Sequence, residues 1–151
     1  MSTTIEFGTG NVELSPCPIH PDWVIEGAPI ARNFVLSRSA DAAASTLIWD
    51  CTAGRFNWYY DIDETVYVLE GGVTVTDDAG VVHRLDPGDT AFFPAGSHAV
   101  WHVESYIRKV AFCRNPVPAP LMFAARVFRK LARMSGLSRP ASGPAMFGAA
   151  G

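Results

Sequence analysis

Short runs of β-branched and aromatic residues alternate with turn residues from about residue 44 to residue 114. Within these runs no stretch of usable length shows the 3.6-residue period of a helix. The runs are STLIWDC, RFNWYYD, TVYVLE, VTVT, VVHRL, TAFF, AVWHV and YIRKVAFC. The breaks between them fall mainly at Ala53-Gly54, Gly71-Gly72, 77–80 (DDAG), Pro87-Gly88 and 94–96 (PAG). Strands of this length and spacing predict an all-β domain, an antiparallel sandwich or barrel.

The flanking segments differ from this core in composition. Residues 1–43 contain proline-rich turns and are predicted to form an N-terminal arm on the 44–114 barrel core, which can add an edge strand. Residues 115–120 (NPVPAP) read as a semi-rigid connector. Residues 121–135 place basic side chains on one helical face and apolar ones on the other. The small, Gly- and Pro-rich residues 136–151 are predicted to be disordered.

Composition narrows the class of protein. The 151 residues are 48% hydrophobic and 18% charged, which suits one compact domain. No window approaches the ~20 apolar residues of a membrane span, and the N-terminus does not resemble a secretory signal, so we expect a cytoplasmic protein. Three cysteines without a CxxC pair argue against a disulfide framework and a zinc cage. Cys51 and Cys113 are predicted to lie in the core.

Charge is distributed unevenly along the chain. The net charge of −3 argues against a nucleic-acid binder. Residues 1–119 hold all 15 acidic and seven basic residues, a formal charge of −8, whereas the remainder carries five basic residues. This asymmetry favours docking of the basic helix on its own barrel or on a second subunit. Contact with an anionic membrane surface or an acidic partner is the alternative.

Two spaced motifs resemble those of the cupin superfamily. Gly54 opens the first motif, and Glu64 and Gly71 close it with the family's six-residue gap. Gly88, five residues and then 94–96 (PAG) reproduce the start of the second. The resemblance implies a cupin double-stranded β-helix, the jelly-roll barrel, with the N-terminal arm and the C-terminal amphipathic helix added, and it implies a homodimer. The local amino-acid sequence around both motifs is similar to that of the small cupins grouped with (S)-ureidoglycine aminohydrolase.

The chain departs from this family at the metal ligands. Trp58-Tyr59-Tyr60 or Asn57-Trp58-Tyr59, depending on the gap chosen before Glu64, stands where metal-binding cupins have His-x-His. Ala99 stands where the second motif has its histidine. His98 comes one residue early, and a one-residue shift turns a strand side chain to the other face unless a bulge corrects it. Of these ligand positions only Glu64 keeps a plausible ligand, so the metal chemistry of the branch does not carry over by resemblance.

Three residues form the candidate ligand site. Trp58, Tyr60 and Glu64 share one parity and are predicted to point into the barrel, where two aromatic walls and a carboxylate can bind a small polar metabolite, nitrogenous or carboxylate. Glu64 is also the candidate catalytic base. The alternatives are that the aromatic residues only fill the barrel and that Glu64 forms a structural ion pair with Arg55, Arg108 or Lys109.

Two histidines extend this site. His98 and His102 lie on one face of their strand and could join Glu64 in a divalent site for Mn, Fe, Ni or Zn, with His98 also contacting a ligand. The alternative places both at the rim as half-exposed strand residues, and His83 is predicted to be a surface residue. Three functions follow: a metal-free binding module, a metal-dependent ureidoglycine aminohydrolase-like enzyme, and an accessory protein that recruits a partner.

Overall fold

The computed structural model describes residues 4–134 of a chain that divides into two units, residues 1–116 and 117–151. The described part of the first unit contains β1 Ser15–Pro16, a 3-10 turn Pro21–Trp23, β2 Val24–Gly27, β3 Ala31–Arg38, β4 Ala44–Tyr59, β5 Asp63–Gly71, β6 Val73–Thr76, β7 Val82–Leu85, β8 Thr90–Phe93 and β9 His98–Arg114. The described part of the second unit contains α1 Ala119–Met134. The all-β prediction with a C-terminal helix is confirmed.

Two long strands organise the sheet. β4 and β9 pair antiparallel along nearly their whole length, from Ala44 opposite Arg114 to Tyr59 opposite His98. The sheet order is β1-β3-β4-β9-β5-β8, with β2 on β4 and with β6 between β7 and β9. The remaining pairings within the described residues are antiparallel as well.

A bulge replaces a predicted break. The sequence pattern separates two strands at Ala53-Gly54, but the structure joins them into β4, whose register against β9 shifts between Thr52 and Gly54. Glycine is required next to this bulge because a Cβ at position 54 would lie 2.7 Å from the Pro29 ring, which packs directly on the backbone there. A bulge leaves the ladder intact on both sides while it bends the strand, so one strand serves both halves of the barrel.

The barrel core follows from strand alternation. Along β9 the buried side chains are those of odd-numbered residues, whereas their even-numbered neighbours are exposed or half-buried. The core combines large aromatic side chains with small and β-branched ones, including Phe56, Tyr60, Trp101, Val66, Val68, Val73 and Ile107. Burial of each such Val, Ile or Phe side chain contributes about 1.5–3 kcal/mol of favourable free energy, so these core side chains are a main source of the stability of the barrel.

The segment predicted as an arm supplies β1, β2 and β3. A polar cluster fixes it: the buried Asp50 carboxylate accepts hydrogen bonds from Arg32 Nε at 3.0 Å and Tyr106 Oη at 2.9 Å. Arg108 Nη2 donates to the carbonyl of Gly10 at 2.7 Å. These contacts tie the N-terminal residues to β3, β4 and β9.

The helix α1 is amphipathic. Its apolar side chains and its four basic residues (Arg126, Arg129, Lys130, Arg133) lie on different faces. No side chain between Ala119 and Met134 is buried. Within residues 4–134 no helix is long and apolar enough to cross a membrane. The predicted tail at 136–151 lies outside the described residues.

Candidate functional site

An ion pair lies in the interior of the barrel. Glu64 begins β5 and Lys109 lies on β9, and the Lys109 Nζ–Glu64 Oε1 distance is 2.5 Å. Their side chains are 5% exposed for Lys109 and 9% for Glu64. Of the three candidate partners of Glu64, which were Arg55, Arg108 and Lys109, Lys109 forms the ion pair. A buried charge is expensive unless it is paired, and here each charge has its counter-charge in hydrogen-bond contact.

Two indole rings face the ammonium group. Lys109 Nζ lies 4.9 Å from the ring centroid of Trp49 and 4.7 Å from that of Trp101. The negative face of an indole attracts a cation, most strongly where water is excluded. The Trp49 Nε1–H group is buried and lacks a hydrogen-bond acceptor among the described residues. The interior therefore holds a carboxylate, two π faces and one unused donor around a single ammonium.

Tyr60 is buried in the same core as this pair. Its hydroxyl accepts a hydrogen bond from Trp101 Nε1 at 3.0 Å, and its ring stacks on Phe93 at 4.6 Å between centroids. Burial, and secondarily the charge of Glu64, raise the pKa of Tyr60 well above its ordinary value. Tyr60 is therefore a neutral, fixed part of the core.

Trp58 occupies the inner side of β4 next to this layer. It is half-buried and makes edge-to-face contacts with Trp23, Trp49 and Phe56 at centroid distances between 5.6 and 6.0 Å. Edge-to-face pairs at such distances add stability beyond area burial. The structure thus places Trp58, Tyr60 and Glu64 together on the inside.

Two thiols lie near the ion pair. Burial raises the pKa of Cys51 to about 12, with Asp50 adding to the effect and Lys109 opposing it. Burial and then the charge of Glu64 raise the pKa of Cys113 to about 11, against an opposing effect of Lys109. Thiols of such high pKa are almost entirely protonated at neutral pH, so neither is an activated nucleophile.

A cleft opens between the β6–β7 hairpin and the β8–β9 turn. Its volume is ≈ 480 Å³, within the range of small-molecule sites. The buried residues of its lining, which we call the floor, are Val75, Leu85, Phe93 and Ala99. The polar residues of its lining, which form the rim, are Asp77, Asp78, His83, Thr90, Ser97 and His98. We call this space the hairpin cleft.

Two aspartate–histidine pairs build the rim. Asp77 Oδ2 lies 3.0 Å from His83 Nε2, and the bond to His83 is the main reason why the pKa of Asp77 lies below its ordinary value. Asp78 Oδ1 lies 3.1 Å from His98 Nδ1, whose other ring nitrogen lies 2.8 Å from Asn57 Oδ1. The hairpin loop, which the sequence marked only as a turn, thus brings two carboxylates to the cleft.

His83 and the two aspartates were not among the candidate site residues of the sequence. Their signal was weak because a loop of Asp-Asp-Ala-Gly is ordinary turn chemistry: Gly80 has φ 79°, and Asp77 Oδ1 accepts from two backbone amides of its own turn. His98 is the one predicted ligand residue that lines the cleft, whereas Trp58, Tyr60 and Glu64 do not line it.

The residues at the predicted metal site do not fit a metal ion. His98 bonds to Asp78 and Asn57, His102 is exposed on the outer side of β9, and Glu64 bonds to Lys109. Inward positions on this strand belong to odd-numbered residues, so both histidines face away from Glu64. Among the described residues no group of three His, Cys, Asp or Glu side chains could hold a metal ion. The unused indole N–H inside the barrel is a donor and cannot act as a metal ligand.

The antiparallel strands around one aromatic core, with a cleft at the turns, define a cupin jelly roll. The chain contains a cupin domain. Residues 38–111 match the family model of the EutQ-like cupin domain. The comparison with curated proteins found no match.

Solved structures show the same fold. A protein of unknown function of the DUF861 family from Pseudomonas syringae pv. tomato is similar with a TM-score of 0.64 and 25% identity, over 68% of this chain and 45% of that one. The putative ethanolamine utilization protein Q of Salmonella typhimurium has a TM-score of 0.51 and 22% identity, over 57% and 70%. An RmlC-like cupin from Shewanella frigidimarina has a TM-score of 0.55 and 14% identity, over 76% and 95%.

These comparisons support the superfamily and the fold. The chain spans less than half the length of the Pseudomonas protein. Sequence identities of 14–25% do not identify a ligand or an activity for this chain. The finer assignment to the ureidoglycine aminohydrolase branch stays a prediction.

Proposed function

We propose that this cupin is a cytoplasmic binding protein for a small nitrogenous metabolite, which it holds in the hairpin cleft without a metal ion. The observation that carries the proposal is the pairing of an apolar floor with two rim carboxylates, Asp77 and Asp78. Of the two ligand classes that the sequence suggested, nitrogenous and carboxylate, the rim charge favours the first.

Charge and shape support the choice of ligand. Carboxylates form their strongest hydrogen bonds with cationic N–H donors and repel anionic groups. Each aspartate is oriented by a histidine and by backbone N–H groups: Asp77 by two amides of the hairpin, and Asp78 by the His98 amide of β9, which donates to Asp78 Oδ2 at 3.1 Å. The floor of Val75, Leu85 and Phe93 would cover an apolar body attached to the nitrogen.

The buried aromatic residues Tyr60 and Trp101 would hold the floor of the hairpin cleft in place from the core side. Phe93 lines the floor and stacks on Tyr60, which bonds to Trp101. A floor fixed from behind is a preformed surface, and preformed sites lose less conformational entropy when a ligand binds. Tyr60 and Trp58 therefore support the proposed site without touching its ligand.

The other two functions have less support. A metal-dependent aminohydrolase needs a ligand set that the described residues do not supply, and Glu64, the candidate catalytic base, is already bonded to Lys109. A partner-recruiting role would rest on the basic face of α1. That role, the docking of α1 and the homodimer remain predictions.

Two probes of matched size test the ligand class. We expect 2-phenylethylamine to bind, measured by calorimetry at pH 7, and 3-phenylpropanoate not to bind. The Asp78→Asn variant keeps an acceptor for His98 but loses the charge, and it should weaken amine binding about tenfold, about 1.4 kcal/mol. Asp22→Asn, on an 88% exposed side chain outside the cleft, is the matched control. Equal binding of both probes, or amine binding unchanged by Asp78→Asn, would refute the proposal.

A further inference from the structure

We propose that the barrel interior is a binding site for a primary ammonium group, formed by Glu64, Trp49 and Trp101, and that the chain fills it with its own Lys109. The proposal concerns the interior and is independent of the hairpin cleft. It assigns to these residues a ligand chemistry, that of an alkylammonium ion.

The geometry around Lys109 Nζ is that of a receptor for such an ion. One carboxylate oxygen lies at 2.5 Å and two indole centroids at 4.7 and 4.9 Å. Aromatic faces within about 6 Å attract ammonium ions, and a carboxylate forms a charge-assisted hydrogen bond with them. Because both charged side chains are at least nine-tenths buried, water competes little for the ammonium.

The position of Lys109 shows that the cation is built into the core. In the register, Lys109 lies opposite Trp49 on β4 and Val68 on β5. Its inward neighbours along β9, Ile107 and Ala111, are apolar and buried. A lysine among them needs the carboxylate and the indole faces, because a buried charge without partners is strongly destabilising.

The same arrangement discriminates between cations. The indole faces and the single carboxylate suit one monovalent ammonium, whereas a divalent ion requires several lone-pair donors. The Trp49 indole offers a further N–H donor and no lone pair. The interior should therefore accept an alkylammonium ion in preference to a divalent metal ion once Lys109 is shortened.

Chemical rescue of Lys109→Ala tests the proposal. This substitution removes three methylene groups and the ammonium, so propylammonium replaces the missing atoms. We expect propylammonium at tenfold above its dissociation constant to raise the melting temperature of the variant by about 3–5 °C. Wild-type protein and Arg84→Ala, which removes an exposed cation from its pair with Asp86, should not respond.

Two further kinds of ligand, a neutral alcohol and divalent metal ions, decide between explanations. 1-Propanol has the size and shape of propylammonium without its charge, whereas Mn²⁺, Ni²⁺ and Zn²⁺ carry positive charge without its alkyl chain. None of these four ligands should stabilise Lys109→Ala. Equal stabilisation by 1-propanol, stronger stabilisation by a divalent ion, or an equal response of the wild type would overturn the proposal.

Refolding from urea covers the case in which Lys109→Ala does not fold alone. Recovery of the fold only when propylammonium is present supports the proposal. Failure with and without the amine, while Glu64→Gln/Lys109→Met folds, overturns it, because the barrel then tolerates loss of the pair but does not accept a free ammonium.

Discussion

Separate removal of each charge of the Glu64–Lys109 pair should destabilise the barrel, whereas joint removal should restore much of the loss. Loss of one partner of a buried pair costs about 3–5 kcal/mol because the other charge stays behind. That is a large part of the 5–15 kcal/mol that holds a typical domain together.

The two single variants should not be equal. Glu64→Gln keeps an acceptor near Lys109 Nζ, and the two indole faces still attract the ammonium, so its cost should lie near 3 kcal/mol, at the lower end of that range. Lys109→Met leaves a carboxylate facing the negative faces of Trp49 and Trp101, so its cost should be about 5 kcal/mol. Glu64→Gln/Lys109→Met replaces the pair by neutral groups of similar size, and we expect coupling of at least about 2 kcal/mol.

Urea unfolding followed by tryptophan fluorescence measures these differences. At an m-value of about 2 kcal/mol/M, a loss of 4 kcal/mol lowers the midpoint by about 2 M. Asp86→Asn removes a partner of the exposed Arg84 pair and should cost less than about 1 kcal/mol. If both interior single variants cost as little as this control and their effects add in the double variant, the pair does not form in a water-excluded interior and the reasoning is wrong.

Three other predictions concern the backbone and the thiols. Gly71→Ala should destabilise the fold by several kcal/mol, because its φ is 72° and a Cβ would lie 2.0 Å from the Tyr106 carbonyl oxygen. Gly80→Ala, with φ 79° and no atom within 4 Å of its Cβ, should cost only about 1 kcal/mol in the same urea assay, and similar costs would refute the steric argument. At pH 8 a thiol-specific chromogenic reagent should label the half-exposed Cys17 quickly and the buried Cys51 and Cys113 only on unfolding. Because the pKa of Cys113 is about 11 in the fold and near 9.0 when unfolded, the fold retains protons that the unfolded chain releases, so stability should fall between about pH 9 and pH 11 in the wild type and less so in Cys113→Ala.

Local pattern was sufficient for most of the fold. The β-rich runs, the Asp-Asp-Ala-Gly hairpin and the apolar alternation determine short antiparallel strands and their turns, since period-2 burial and turn conformation depend on near neighbours. The shared parity of Trp58 and Tyr60 likewise predicted their common inner side. The pattern missed the continuity of β4 because Gly54, which it read as a break, is a bulge that accommodates Pro29.

Partners across the sheet were decided only by the tertiary structure. The sequence offered Arg55, Arg108 and Lys109 to Glu64 as partners. Glu64 lies opposite Cys113 and Lys109 opposite Val68 in the β5–β9 register, so Lys109 reaches Glu64 along the interior because both side chains face inward. Register also turns His98 away from Glu64 and joins it to Asp78, 20 residues away, which creates the rim of the hairpin cleft. The sequence of a strand determines which of its side chains share a face. The partners of those side chains are determined by the neighbouring strands, because cross-strand contacts join residues that are far apart in the chain.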